Sequence, residues 1–151
     1  MIRLFFIVLL AGLSAGCAPP VEQKAAPAYR PVGNMLQFMT WVLEPAADTL
    51  WDSAGSIITA DGEQDLAPQT DEQWQIVRSQ AAVVAEAGNL LMLPGRAVDD
   101  EAWMEYSTGL IDAGIKAMQA AEAKDADALF EAGAGLYQVC LACHMKYVQN
   151  Q

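Results

Sequence analysis

The chain has 151 residues, enough for one domain with a real core. Its 8 basic and 19 acidic side chains leave a net charge of −11, which excludes nucleic acid and anionic lipid as partners. That acidity suits docking on a basic protein patch or a plain solvated surface, and abundant alanine with few β-branched runs leans the chain towards helix.

Residues 1–16 read as a targeting segment. Met1-Ile2-Arg3 supplies one positive charge, and the apolar run from Leu4 to Leu13 is too short to span a bilayer as a mature helix. Leu13-Ser14-Ala15-Gly16-Cys17 resembles a bacterial lipoprotein cleavage box, in which the Cys becomes the first residue and is lipidated. The usual Leu lies three before the Cys; here Ser14 holds that position and Leu13 is one further away. Ordinary secretory cleavage among these small residues is the alternative. Either route exports the chain, and without Arg3 it carries 7 basic and 19 acidic side chains, net −12.

Residues 17–32 form a Pro-rich tether, with Pro19, Pro20, Pro27 and Pro31 and no apolar period. Its residues 18–31 reach roughly 45 Å when stretched, at ~3.3 Å each.

Residues 33–149 form the folded domain. Met35, Phe38, Met39, Val42, Ala46, Leu50 and Ala54 recur at helical steps, and the stripe keeps its phase across Pro45, which predicts a kink rather than an end. Asp52-Ser53-Ala54-Gly55 ends this first helix. Residues 56–69 read as a loop, with a turn at Asp61-Gly62 and with Ile57 and Ile58 plugging it onto the core. Thr70-Asp71-Glu72-Gln73 is a capping box for a second helix, whose seam is Trp74, Val77, Ala81, Val84, Gly88 and Leu91. Gly88 is its weak member unless a neighbouring helix closes over it. Pro94-Gly95 closes this helix.

Asp99 or Asp100 starts a third helix, with Trp103, Ser107, Leu110, Ile111, Gly114, Ala117, Met118 and Ala121 on one side. Lys124-Asp125 is a break with Asp125 as N-cap. The fourth helix carries Leu129, Ala132, Leu136, Cys140, Cys143 and Tyr147. Its Gly133 and Gly135 fit either the close approach of another group or simple tolerance. The expected fold is all-α, an antiparallel up-down-up-down four-helix bundle with no competing strand pattern.

Cys140-Leu141-Ala142-Cys143-His144 is C-x-x-C-H, the attachment signature of a c-type haem. Positions i, i+3 and i+4 share a helix face. Two thiols there can form thioethers with the vinyl groups of one haem, and the adjacent imidazole can bind the iron. A thioredoxin-like redox pair would open a helix after a strand, whereas this one lies near a helix end. Structural zinc wants four nitrogen or sulfur ligands, and the chain has one His and only Cys17 besides this pair. With both other thiols on haem, Cys17 would be an odd free thiol unless lipidated.

Four helical stripes with C-x-x-C-H on the last resemble the class II c-type cytochromes, the cytochrome c prime group, over about residues 33–148. Tyr147, three after His144, matches an aromatic often found there, and Trp103 is similar to a Trp near the start of that family's third helix. The family usually has Arg or Lys four after the His; this chain has Val148, with Lys146 the nearest base. The resemblance implies one covalent haem c per chain, His144 as proximal ligand and a distal residue from the first helix. Met39 is the first choice for that ligand and Met35 the second; the alternative is that both only fill the core. It also implies that two copies often pair through their first two helices, with Trp74 a candidate contact.

Arg30, Arg78 and Arg96 are candidates for the haem propionates or plain surface charges. Trp41, Trp51, Trp74 and Trp103 are core or interface residues first. No nucleophile–base pair or phosphate loop is visible, so no enzyme is expected. The expected protein is a periplasmic monohaem cytochrome of a Gram-negative bacterium, anchored to a membrane through Cys17 and passing electrons to redox partner proteins. The alternative is a five-coordinate haem protein that binds NO or CO.

Overall fold

A computed structural model describes residues 29–148. The expected leader, Cys17 and most of the tether lie outside these residues.

The described residues are mostly helical. Helix α1 (Met35–Phe38), a π-helical segment (Met39–Leu43) and α2 (Glu44–Trp51) follow without a break and form the first helix. Strands β1 (Ser56–Thr59) and β2 (Gly62–Asp65) then precede α3 (Asp71–Leu91), α4 (Ala102–Ala123) and α5 (Ala126–Tyr147). One core of Phe38, Leu50, Val77, Val84, Trp103, Leu110, Leu129 and Leu136, with many alanines, joins all four helices.

Local chemistry sets most of the helix starts. Asn34 and Gln37 form a capping box on α1, and Thr70 and Gln73 form the expected one on α3. Asp125 caps α5 by accepting from the Ala128 N–H at 2.9 Å. Helix α4 begins at Ala102, slightly later than expected, yet Asp99 still caps it, accepting from the N–H groups of Trp103 at 2.9 Å and Glu101 at 3.1 Å.

The first helix departs from its stripe. Pro45 has no N–H and crowds the turn before it. The chain answers with a π segment, in which the Glu44 N–H reaches back to the Met39 carbonyl. The extra residue shifts the inward position at this turn only, since Ala46 and Leu50 stay buried as expected. Leu43 is therefore buried, and Val42, expected inside, is 36% exposed.

Residues 56–65 are an antiparallel hairpin rather than an unstructured loop. Ser56 pairs with Asp65 and Thr59 with Gly62 around the expected Asp61-Gly62 turn. Ile57 and Ile58 do not plug the core; they are 48% and 79% exposed on this two-stranded ribbon. Trp74 is buried in the chain's own core, so it is no free contact for a second copy. Trp41 is the exposed tryptophan, at 63%.

The seam of α3 is buried at every expected position. A Cβ on Gly88 would lie 2.6 Å from the Ser107 carbonyl, and one on Gly114 would lie 2.6 Å from the Ala85 amide nitrogen. The two backbones of α3 and α4 therefore meet where only glycine fits. On α5, a Cβ at Gly133 would come 3.3 Å from the Trp51 ring, whose Nε1–H donates to the Gly133 carbonyl at 3.0 Å. Nothing lies within 4 Å of such an atom at Gly135.

Adding a methyl group should therefore act with opposite sign at these sites. Gly88→Ala and Gly114→Ala are expected to cost about 1–3 kcal/mol, because backbone cannot yield as a side chain can. Gly135→Ala should gain up to about 1 kcal/mol from helix propensity. Urea midpoints of the three variants against the parent measure this.

Candidate functional site

The cysteine motif lies on the last turns of α5, where the helix faces both α4 and the first helix. One cleft there is walled by Cys140, Cys143 and His144 on one side and by Met39 and Leu43 of the π segment on another. Leu91, Trp103, Tyr106 and Leu110 close the rest with apolar surface. Met35 is partly buried against the core but is not part of this lining. Of the two methionines, Met39 is the one brought to the motif. Cys17 is outside the described residues.

Both thiols are free and partly buried, while His144 is exposed at the mouth between exposed Leu141 and Met145. Burial pushes the Cys140 thiol up to about 11, with Cys143 beside it adding to the effect, and burial also raises Cys143. The pair is therefore held as neutral thiols. Such thiols suit conversion to thioethers, which leave no charge in the apolar wall. They suit thiolate redox chemistry poorly. Among the described residues, no three His, Cys, Asp or Glu side chains are grouped to hold a metal ion, this trio included.

The donor set fits a c-type haem: two thiols, an imidazole, and a thioether on the facing helix. The cleft volume, about 30 Å³, holds little more than a water or two. A macrocycle therefore requires Met39 and Leu43 to withdraw from the motif. They sit on the π segment, the irregular turn of the first helix. A larger open groove of about 760 Å³ runs between α4 and α5 past Lys116 and Glu131, and none of the motif residues lines it.

A further link that spacing alone does not reveal holds the motif in place. Tyr147 donates its O–H to Asp99, the residue that caps α4. Its ring meets Trp103 edge-on at 5.1 Å between centroids, and Tyr106 at 6.3 Å. Trp103 in turn donates its indole N–H to the Leu91 carbonyl at 2.8 Å. The ends of α3 and α5 are thus tied to the start of α4. The signal for this link was an Asp–Trp pair four apart and a Tyr just after the motif, but only the tertiary fold joins them.

The hydrogen bond from Tyr147, then that from the Trp103 N–H, hold the Asp99 carboxyl below its ordinary 3.8. Burial, then Asp99, push the Tyr147 phenol up, so it remains the donor. A carboxyl lowered by folding adds stability that is complete above its unfolded value and lost as pH falls through the folded one. Tyr147→Phe should therefore be less stable than the parent above about pH 4, with the gap closing below it. Urea midpoints of both proteins over a pH series measure the gap; one that persists unchanged in acid would contradict the assignment.

No described helix is long and apolar enough to cross a membrane. Comparison with protein-family models, with curated proteins and with solved structures finds nothing that matches the chain.

Proposed function

We propose that this chain is a periplasmic, membrane-anchored c-type cytochrome that carries electrons through one covalent haem and catalyses no reaction of its own. The observation that carries the reading is the joining of Met39 to Cys140, Cys143 and His144 around one apolar cleft. The sequence separation is about a hundred residues, and nothing but the fold requires the meeting. We further read the architecture as an antiparallel up-down-up-down bundle. In support, Lys124 at the end of α4 pairs with Asp71 at the start of α3 at 2.6 Å, and Trp103 bonds Leu91 at the other end. Tyr147 at the end of α5 meets Asp99 at the start of α4, and Trp51 at the end of α2 meets Gly133 in the first half of α5.

When bound, haem supplies a one-electron couple. The chain's own residues would do the rest. Cys140 and Cys143 would hold the group by thioethers, and His144 of α5 and Met39 of the first helix would supply the iron's protein ligands. A thioether ligand favours the reduced iron and so raises the potential. Leu43, Leu91, Trp103 and Leu110 keep water away from one side of the site. His144 lies at an exposed mouth flanked by Leu141 and Met145, which would present the redox centre to a partner protein. The acidic surface suits a partner with a basic patch.

Protein matured in a host with haem-ligation machinery should keep its colour through acid-acetone extraction, and Cys140→Ala with Cys143→Ala should release it. Met39→Ala should lower the reduction potential and open the reduced protein to CO, while Met35→Ala should change neither. Rapid CO uptake by the parent would overturn Met39 as a ligand and favour the gas-binding alternative.

The anchor reading rests on Cys17 following an apolar run and preceding the tether. Several acyl chains on one Cys would hold the protein firmly to a membrane. Cys17→Ser should move it from the membrane to the soluble fraction or block its processing. An unmodified amino terminus elsewhere than Cys17, found by mass spectrometry, would refute this.

A further inference from the structure

We propose that Arg96 is the carboxylate-binding residue of this cleft, and that it takes a propionate of the haem; the proposal rests on the haem reading above. Arg96 lies in the connection between Leu91 and Trp103, both of which line the cleft. Its guanidinium carbon stands 4.3 Å from the centroid of the Phe38 ring, and Phe38 is the chain neighbour of Met39. The Nη1 atom is buried and has no hydrogen-bond partner.

That combination is unusual for an arginine. The group is charged at every accessible pH and carries five N–H donors. A buried charged donor without an acceptor is among the most costly arrangements a fold can hold. Among the described residues, rich in acidic side chains, none takes this donor. The carboxylate nearest in sequence, Asp99, already accepts from Glu101, Trp103 and Tyr147. Arg78 differs: it pairs with Glu122 at 3.4 Å and with Gln75 at 2.8 Å, across the start of α3 and the end of α4. Arg30 is exposed at the edge of the described residues. Among the described arginines, Arg96 is the one with a buried open donor, and it sits in the connection whose two flanking helices line the cleft.

The cation–π contact with Phe38 holds the guanidinium in place, and its planar fork matches a planar acceptor. A carboxylate is the matching group, and haem brings two. Bound there, the propionate stays ionised and the Arg96 charge disfavours the oxidised iron.

The test uses the matured haem protein and the variants Arg96→Gln and Arg96→Lys, with the reduction potential followed against pH. Arg96→Gln should retain covalent haem, show a lower potential and gain a pH-dependent step as the freed propionate titrates. Arg96→Lys should recover most of the parent's potential and remove the step. The other titratable groups named around this end of the fold, Asp99, Asp100, Glu101, Tyr106, His144, Lys146 and Tyr147, are unchanged in all three proteins. If Arg96→Gln does not fold, Arg96→Met, which keeps an apolar stem over Phe38, carries the same comparison. Covalent haem with a profile that superimposes on the parent's would overturn the role of Arg96 and leave the haem reading intact. A parent with no covalent haem would overturn both.

Discussion

The structure depends on the close approach of α3 and α4 at Gly88 and Gly114. With no Cβ at either position, the two backbones come into direct contact, and the seam between them can be built largely from alanine. That contact sets where α4 begins relative to the end of α3, so the Trp103 indole reaches the Leu91 carbonyl. Trp103 then serves as a post. Its own N–H is capped by Asp99, its ring supports Tyr147, and Tyr147 returns a hydrogen bond to Asp99. Through this closed circuit, a packing decision in mid-helix fixes the end of α5 that carries the cysteines.

The facing wall is built on the opposite principle. Pro45 forbids a regular helix through residues 41–45, and the π segment absorbs the conflict. Leu43 and Met39 enter the cleft as a result, while Trp41 and Val42 turn out to solvent. One wall is thus cross-linked by hydrogen bonds, and the other is carried on an irregular, π-helical turn. Arg96 joins the two sides, its guanidinium over Phe38 of the first helix and its backbone in the connection that leads to Asp99.

Much of this was legible in the sequence, for physical reasons that differ by element. The seam of α3 reads correctly because buried positions of a straight helix recur strictly at three and four. The Thr70–Gln73 capping box reads correctly because it is a pair of local hydrogen bonds between residues three apart. Val42 and Leu43 were exchanged because a periodicity argument assumes a constant turn, and a π segment adds one residue to it. The cue was Pro45, whose cost was read as a kink rather than an insertion. The hairpin was missed because only half of it looks like a strand: Ile57-Ile58-Thr59 is β-branched, whereas Gly62-Glu63-Gln64-Asp65 is not. The cysteine motif is visible as a spacing, and the fold adds that it faces Met39 and Leu43 across one cleft. The Asp99–Tyr147 bond and the open donor of Arg96 are tertiary, and no local pattern encodes them.

The account stands on a covalent group at Cys140 and Cys143. Peptide mapping by mass spectrometry of the protein matured with haem-ligation machinery tests this most directly. The account predicts that the peptide containing residues 140–144 carries the mass of one haem through both cysteines, with neither thiol open to alkylation. Recovery of that peptide unmodified, with both thiols alkylated, would contradict it.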